Sequence, residues 1–141
     1  MNYFPNSIKN ILITGGSGFI GSAMVMRLLN NTSLNIFNLD KLGYANNEEI
    51  FYECKKSKRY ILIKADLTSL EDTIEAIKLS DPDLVFHFAA ESHVDRSINN
   101  PKIFIDNNIN GTFNLLEALI RHWESLESKR KEQFRLLHIS T

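Results

Sequence analysis

Three glycines, each three residues from the next, constrain this chain more than any other feature. Gly15, Gly18 and Gly21 follow directly on Asn10–Thr14, a short apolar run with the look of a strand buried on both faces. A sharp turn from strand into helix explains backbone this bare. One glycine turns the chain, one lets a ligand reach the main chain, and one lets helix and strand pack closely. The start of that helix offers N–H groups and the positive end of its dipole, which suits a pyrophosphate. A literal G-x-G-x-x-G also reads from Gly16, but the wider spacing fits the context better.

A second feature arrives where such a turn needs it. Asn35–Leu39 reads as the next buried strand and ends in Asp40, 19 residues after Gly21. A carboxylate there is placed to accept hydrogen bonds from the adenosine ribose hydroxyls and to repel a 2′-phosphate. The pair of features points to dinucleotide binding, and to NAD over NADP.

The remaining chain alternates in the same way. Gly18–Leu29 carries Phe19, Ile20, Met24, Leu28 and Leu29 at helical spacing, and Asn30-Asn31 ends it. After the loop LGYANN, Glu48–Ser57 reads as an exposed helix with acids first and lysines last. Tyr60–Lys64 is a third strand, with Asp66-Leu67 at its carboxyl end. Thr68 or Ser69 caps a helix over Leu70–Leu79, and Leu84–Phe88 is a fourth strand. A loop, AAESHVDRSINN, leads to Pro101 at the head of a long helix, and Phe134–Ser140 is a fifth strand. Short connections and right-handed crossovers make this an α/β chain with a Rossmann-type, doubly wound parallel sheet of order 3-2-1-4-5, in one domain over residues 1–141. Ligands in such sheets bind beyond the carboxyl ends of the strands.

Composition narrows the function. A formal net charge of -1, from 16 basic and 17 acidic residues, gives no electrostatic case for nucleic acid or an acidic membrane. Cys54 is the single cysteine, so no internal disulfide forms, and no Cys/His cluster has metal-site spacing. The N-terminal MNYFPNSIKN lacks the apolar core of a signal peptide, and no apolar run approaches the roughly 18 residues of a membrane span. A soluble, cytoplasmic protein is expected. His87 and His138 read as satisfied residues of buried strands. Ser92, His93 and Asp95 are too close in sequence to converge as a triad, and Cys54 reads as inert. Asp95-Arg96 reads as a local ion pair ordering its loop, with a subunit or substrate contact as the alternative.

The chain resembles the N-terminal part of nucleotide-sugar 4,6-dehydratases of the extended short-chain dehydrogenase/reductase family. The motifs are ITGGSGFIGS (Ile13–Ser22), LDKLGYANN (Leu39–Asn47), KADL (Lys64–Leu67), HFAAESHVDRSI (His87–Ile98), NNINGTFNLLEA (Asn107–Ala118) and HIST (His138–Thr141). The resemblance implies an NAD-dependent lyase that oxidises a nucleotide sugar at C4, removes water across C5 and C6, and reduces C6. The implied substrate is a nucleotide sugar such as dTDP-glucose.

By position, the resemblance sets Phe19 and Ile20 against the pyrophosphate beside Gly15, Gly18 and Gly21. Asp40, Lys41, Leu42 and Gly43 surround the adenosine ribose, and Asp66 and Leu67 border the adenine. Phe88, Ala89, Ala90, Glu91 and Ser92 line the other half of the cofactor, with Asn107 as a further contact. Ser92 also touches the sugar, and Thr141 is the catalytic threonine that hydrogen-bonds the hydroxyl being oxidised. Gly43 stands where the family has Thr or Ser, and Asn107 where it has Thr.

In the family the threonine is followed by an Asp-Glu acid–base pair and later by Tyr-x-x-x-Lys, positions that lie past residue 141. The isolated chain is therefore expected to be inactive. Its 102–121 helix, which joins a four-helix dimer interface in the family, is expected to drive homodimerisation or self-association. Two alternatives stay open: a non-catalytic NAD-binding remnant or split-protein module, and a nucleotide-sugar 4-epimerase fragment.

Overall fold

Apolar residues on both faces of β1 (Asn10–Thr14) set the layering of the molecule. Ile11 and Ile13 point to one side and Leu12 to the other, and all three are fully buried. In the computed structural model, residues 4–43 and 48–139 are described, without the side chains of residues 48–51. β1 lies between β2 (Asn35–Asp40) and β4 (Leu84–His87), and β3 (Tyr60–Lys64) and β5 (Arg135–His138) flank these to complete a five-stranded sheet of order β3-β2-β1-β4-β5. Every pairing is parallel. This is the doubly wound α/β sheet expected from the sequence.

One face packs on α1 (Phe19–Asn31) and α2 (Glu48–Lys55), through Ile11, Ile13, Val25, Leu28, Ile36, Cys54 and Tyr60. The other packs on α3 (Leu70–Ser80) and α6 (Thr112–Ser125), through Leu12, Phe37, Leu39, Ala76, Ile77, Val85, Leu115 and Leu119. Ser69 caps α3, its hydroxyl accepting the Asp72 N–H at 3.2 Å.

Five local expectations need correction. The stretch taken as a loop after β4 contains a short helix, α4 (Val94–Asn99). The long helix is a composite run: α5 (Pro101–Phe104), a π-helical segment over Ile105–Gly111, then α6 to Ser125. A further helix, α7 (Ser128–Gln133), precedes β5. Phe19 and Ile20 are 86% and 60% exposed, because the buried face of α1 starts at Gly21-Ser22 and continues through Val25 and Leu28-Leu29. β5 is also an edge strand, which leaves His138 exposed rather than buried.

At the amino end of the sheet one charged knot ties four segments together. Asp83 Oδ2 accepts the N–H groups of Lys9 and Asn10 at 2.7 and 3.0 Å. Its Oδ1 meets the Arg130 guanidinium at 2.9 Å, and Arg130 also holds Asp81 at 3.1 Å. Asp81 closes α3 in the left-handed conformation with φ 39°.

Candidate functional site

The glycine turn is shaped by tight backbone approach. Gly15 has φ +69°, and a Cβ there would sit 2.6 Å from the Ala89 nitrogen. A Cβ on Gly21 would collide with the carbonyl of Gly15. Gly18 differs: its φ of -75° is ordinary, and the nearest atom to an added Cβ is Gly15 O at 3.4 Å. Packing within the protein does not require a glycine at 18. The bare backbone there faces the cleft, which fits a ligand that must come close. As the first residues of a 13-residue helix that starts beside Gly18, Phe19–Gly21 carry N–H groups with no partner inside the helix.

The strand ends line an open cleft. Gly15 and Gly18 form its floor, Asp40, Lys41 and Gly43 one wall, Asp66 and Leu67 a second, and Phe88–Ser92 with Asn107 a third. Leu39 and Ala65 also line it, and the sequence reading had not named them. Phe19, Ile20, Gly21 and Leu42 lie outside the lining. Thr141 falls outside the described residues.

The acids of the cleft are partly engaged by the backbone. Asp40 Oδ2 accepts the Ser17 N–H at 2.9 Å and its Oδ1 the Leu42 N–H at 2.9 Å. Each oxygen keeps a second lone pair, so the carboxylate can hold the loop and still accept from a ligand. Leu42 takes φ 58°, a left-handed conformation costly for a branched side chain. Asp66 Oδ1 accepts the Thr68 N–H at 2.9 Å, which turns the chain from β3 towards α3. Lys41 reaches across the cleft: its Nζ donates to Asn107 Oδ1 at 2.6 Å and lies 3.3 Å from Glu91 Oε1. Arg96 stands 3.9 Å from the other oxygen of Glu91.

Three polar residues frame this site, the buried Asn38 and His87 and the half-buried Asn108, and the two asparagines were missed. Asn38 sits within β2 at 0% exposure. Its oxygen accepts the Gly16 N–H at 2.9 Å, and its amide donates to Ser17 Oγ at 3.0 Å and to Tyr60 Oη at 2.9 Å. Burial raises the Tyr60 phenol above its ordinary value of 10, and its hydroxyl is committed to Asn38, so it offers no base to the cleft. Asn108, on the π-helical segment, clasps Glu91 from both sides, accepting its N–H at 2.8 Å and donating to its carbonyl at 2.9 Å. A polar residue inside the apolar strand NIFNLD was the one available signal for Asn38.

His87, read from sequence as a core residue, is 1% exposed and bridges Thr14 Oγ1 at 2.5 Å and Thr112 Oγ1 at 3.0 Å. Burial, and then the neighbouring His138, push its imidazole down to about 4, so it is neutral at pH 7. It links the strand that feeds the glycine turn to the helix after the π-helical segment. Cys54 is 2% exposed and its thiol is pushed up to about 11, chiefly by burial. Among the described residues no cluster of His, Cys, Asp and Glu could hold a metal ion, and no helix is long and apolar enough to cross a membrane.

The family model for GDP-mannose 4,6 dehydratase matches residues 12–141. The chain belongs to that family. It is 48% identical over 131 residues to dTDP-glucose 4,6-dehydratase 1 of Escherichia coli K12, covering 93% of this chain and 36% of that protein. Among solved structures, it superposes with a TM-score of 0.76 at 30% identity on dTDP-glucose 4,6-dehydratase of Bacillus anthracis in complex with NAD, covering 94% of this chain and 37% of that one. It superposes with a TM-score of 0.69 at 33% identity on the UDP-glucose 4-epimerase of Thermus thermophilus complexed with NAD, covering 79% of this chain and 34% of that one. The chain thus spans little more than a third of the length of these relatives.

Proposed function

We propose that the cleft binds NAD, and that the chain is the cofactor-binding part of a nucleotide-sugar 4,6-dehydratase that converts dTDP-glucose to dTDP-4-keto-6-deoxyglucose. One observation carries the reading: Gly18 opens bare backbone on the cleft where packing does not demand it, with Asp40 on the adjoining wall. Identities of 48% and 45% to dTDP-glucose 4,6-dehydratases, over 93% and 95% of this chain, support dehydration as the reading.

In this reading the first turn of α1 takes the pyrophosphate and Asp40 the adenosine ribose, with Lys41, Leu42 and Gly43 around it. Asp66 and Leu67 border the adenine, while Phe88–Ser92 and Asn107 hold the remainder. Ser92 and Thr141 meet the sugar. NAD supplies the hydride acceptor and donor; the chain positions it and excludes water. The exposed stripe of Ile105, Ile109, Phe113 and Ile120 serves association with a second copy.

Calorimetric titration of NAD, with NADP as control and Asp40→Ala as a second protein, tests the cofactor assignment. Binding of NAD that fails for NADP and for the variant is expected; a folded chain that ignores NAD would overturn it.

A further inference from the structure

Lys41 is the only cation among the described residues that line the cleft, against the three acids Asp40, Asp66 and Glu91. It adjoins Asp40 in sequence, at the corner where the proposed function places the adenosine ribose. A lysine there would ordinarily attract a 2′-phosphate. Its ammonium is instead drawn across the cleft to Glu91 at 3.3 Å and Asn107 at 2.6 Å. The Glu91 side chain is 10% exposed, so solvent screens this pair less than it would a surface pair. Lys64, opposite Asp40 in the β2–β3 register, does not line the cleft.

We propose that Glu91 is a specificity-determining residue for the cofactor. By holding Lys41 across the cleft it denies a 2′-phosphate a cation and leaves the negative charge of Asp40 uncompensated at the ribose. Discrimination against NADP then has two parts. Asp40 repels the phosphate from one wall, and Glu91, on the opposite wall, occupies the lysine that would otherwise offset that repulsion. The inference rests on the dinucleotide reading of the cleft.

In a Glu91 variant Asn108 still holds the loop through the backbone N–H and carbonyl of residue 91, while the carboxylate gives up Arg96 as well as Lys41. Glu91→Gln keeps the volume and removes the charge. The test measures NAD and NADP affinities by calorimetry at low ionic strength for the wild-type chain, E91Q, and E91Q combined with Lys41→Ala. A thermal melt confirms folding of each.

The NADP-to-NAD affinity ratio is expected to rise about tenfold in E91Q, the scale of one released charge acting on a phosphate through a partly solvated cleft. The gain is expected to vanish in the double variant. An unchanged ratio overturns the inference, as does an equal loss of both affinities or a gain that survives Lys41→Ala. Failure of the wild-type chain to bind NAD at all would overturn the dinucleotide reading itself.

Discussion

The Asn38 side-chain oxygen accepts the Gly16 N–H at 2.9 Å, so the second strand shapes the glycine turn from below. A Cβ on Gly16 would collide with that same side chain. Gly16→Ala must displace an amide that makes three buried hydrogen bonds, at a cost of about 3 kcal/mol from overpacking and lost pairing. Chemical denaturation should show this loss for Gly16→Ala and a comparable one for Asn38→Ala. Wild-type stability in Gly16→Ala would mean the turn is held by other contacts.

Gly18→Ala should behave in the opposite way. The backbone is already compatible with alanine, so the melting temperature should hold or rise, by about 0.4–1 kcal/mol of stability. If pyrophosphate approaches this backbone, NAD affinity should nevertheless fall at least about tenfold, roughly 1.4 kcal/mol. Unchanged NAD binding in a stable Gly18→Ala chain would remove the glycine turn from the cofactor site.

His87 gives the fold a pH dependence of defined sign. Its imidazole takes up a proton near 4 in the folded chain, against 6.5 ordinarily. Between those values the unfolded chain binds more protons, so stability falls as pH drops from 6.5 towards 4, by at most about 3 kcal/mol. Urea unfolding at pH 7 and pH 5 should show this slope in the wild type and a smaller one in His87→Gln. Equal slopes would assign the acid sensitivity to other groups.

The apolar stripe on the composite helix predicts association. Ile109 and Phe113 are 62% and 63% exposed, and Ile120 is 54% exposed. Light scattering should give a mass above 16.2 kDa that grows with concentration, and Phe113→Glu should lower it. A sharp monomer mass at high concentration would rule out the stripe as a self-association surface.

Sheet order and the outline of the cleft were legible in the sequence, because five short apolar runs separated by helical patterns leave few topologies. Glycine spacing and Asp40 marked the strand ends. Contacts between side chains remote in sequence were not legible. Nothing local pairs Lys41 with Glu91 or Asn38 with Gly16; both contacts exist only once the strands lie side by side. Phe19 and Ile20 misled because helical spacing does not reveal where a helix turns its apolar face inward. The π-helical segment was hidden too, since a widened turn leaves no local pattern in NNINGT. His138 was misplaced for another reason: periodicity cannot tell an edge strand from a central one.

The salt-bridged knot at the amino end of the sheet governs a distance it does not touch. Asp83 lies just before β4, and Arg130 sits in the helix that feeds β5. Their pair fixes where those two strands start alongside each other, with Leu84 opposite Arg135. Parallel registration carries that alignment forward to the far end, where His87 meets His138 at 4.8 Å between ring centres. A slip of one residue would reverse every side chain of β5 and turn His138 to the other face of the sheet. The level at which the last strand ends beside β4 is therefore set at the opposite pole of the molecule, by an arginine far from the cleft.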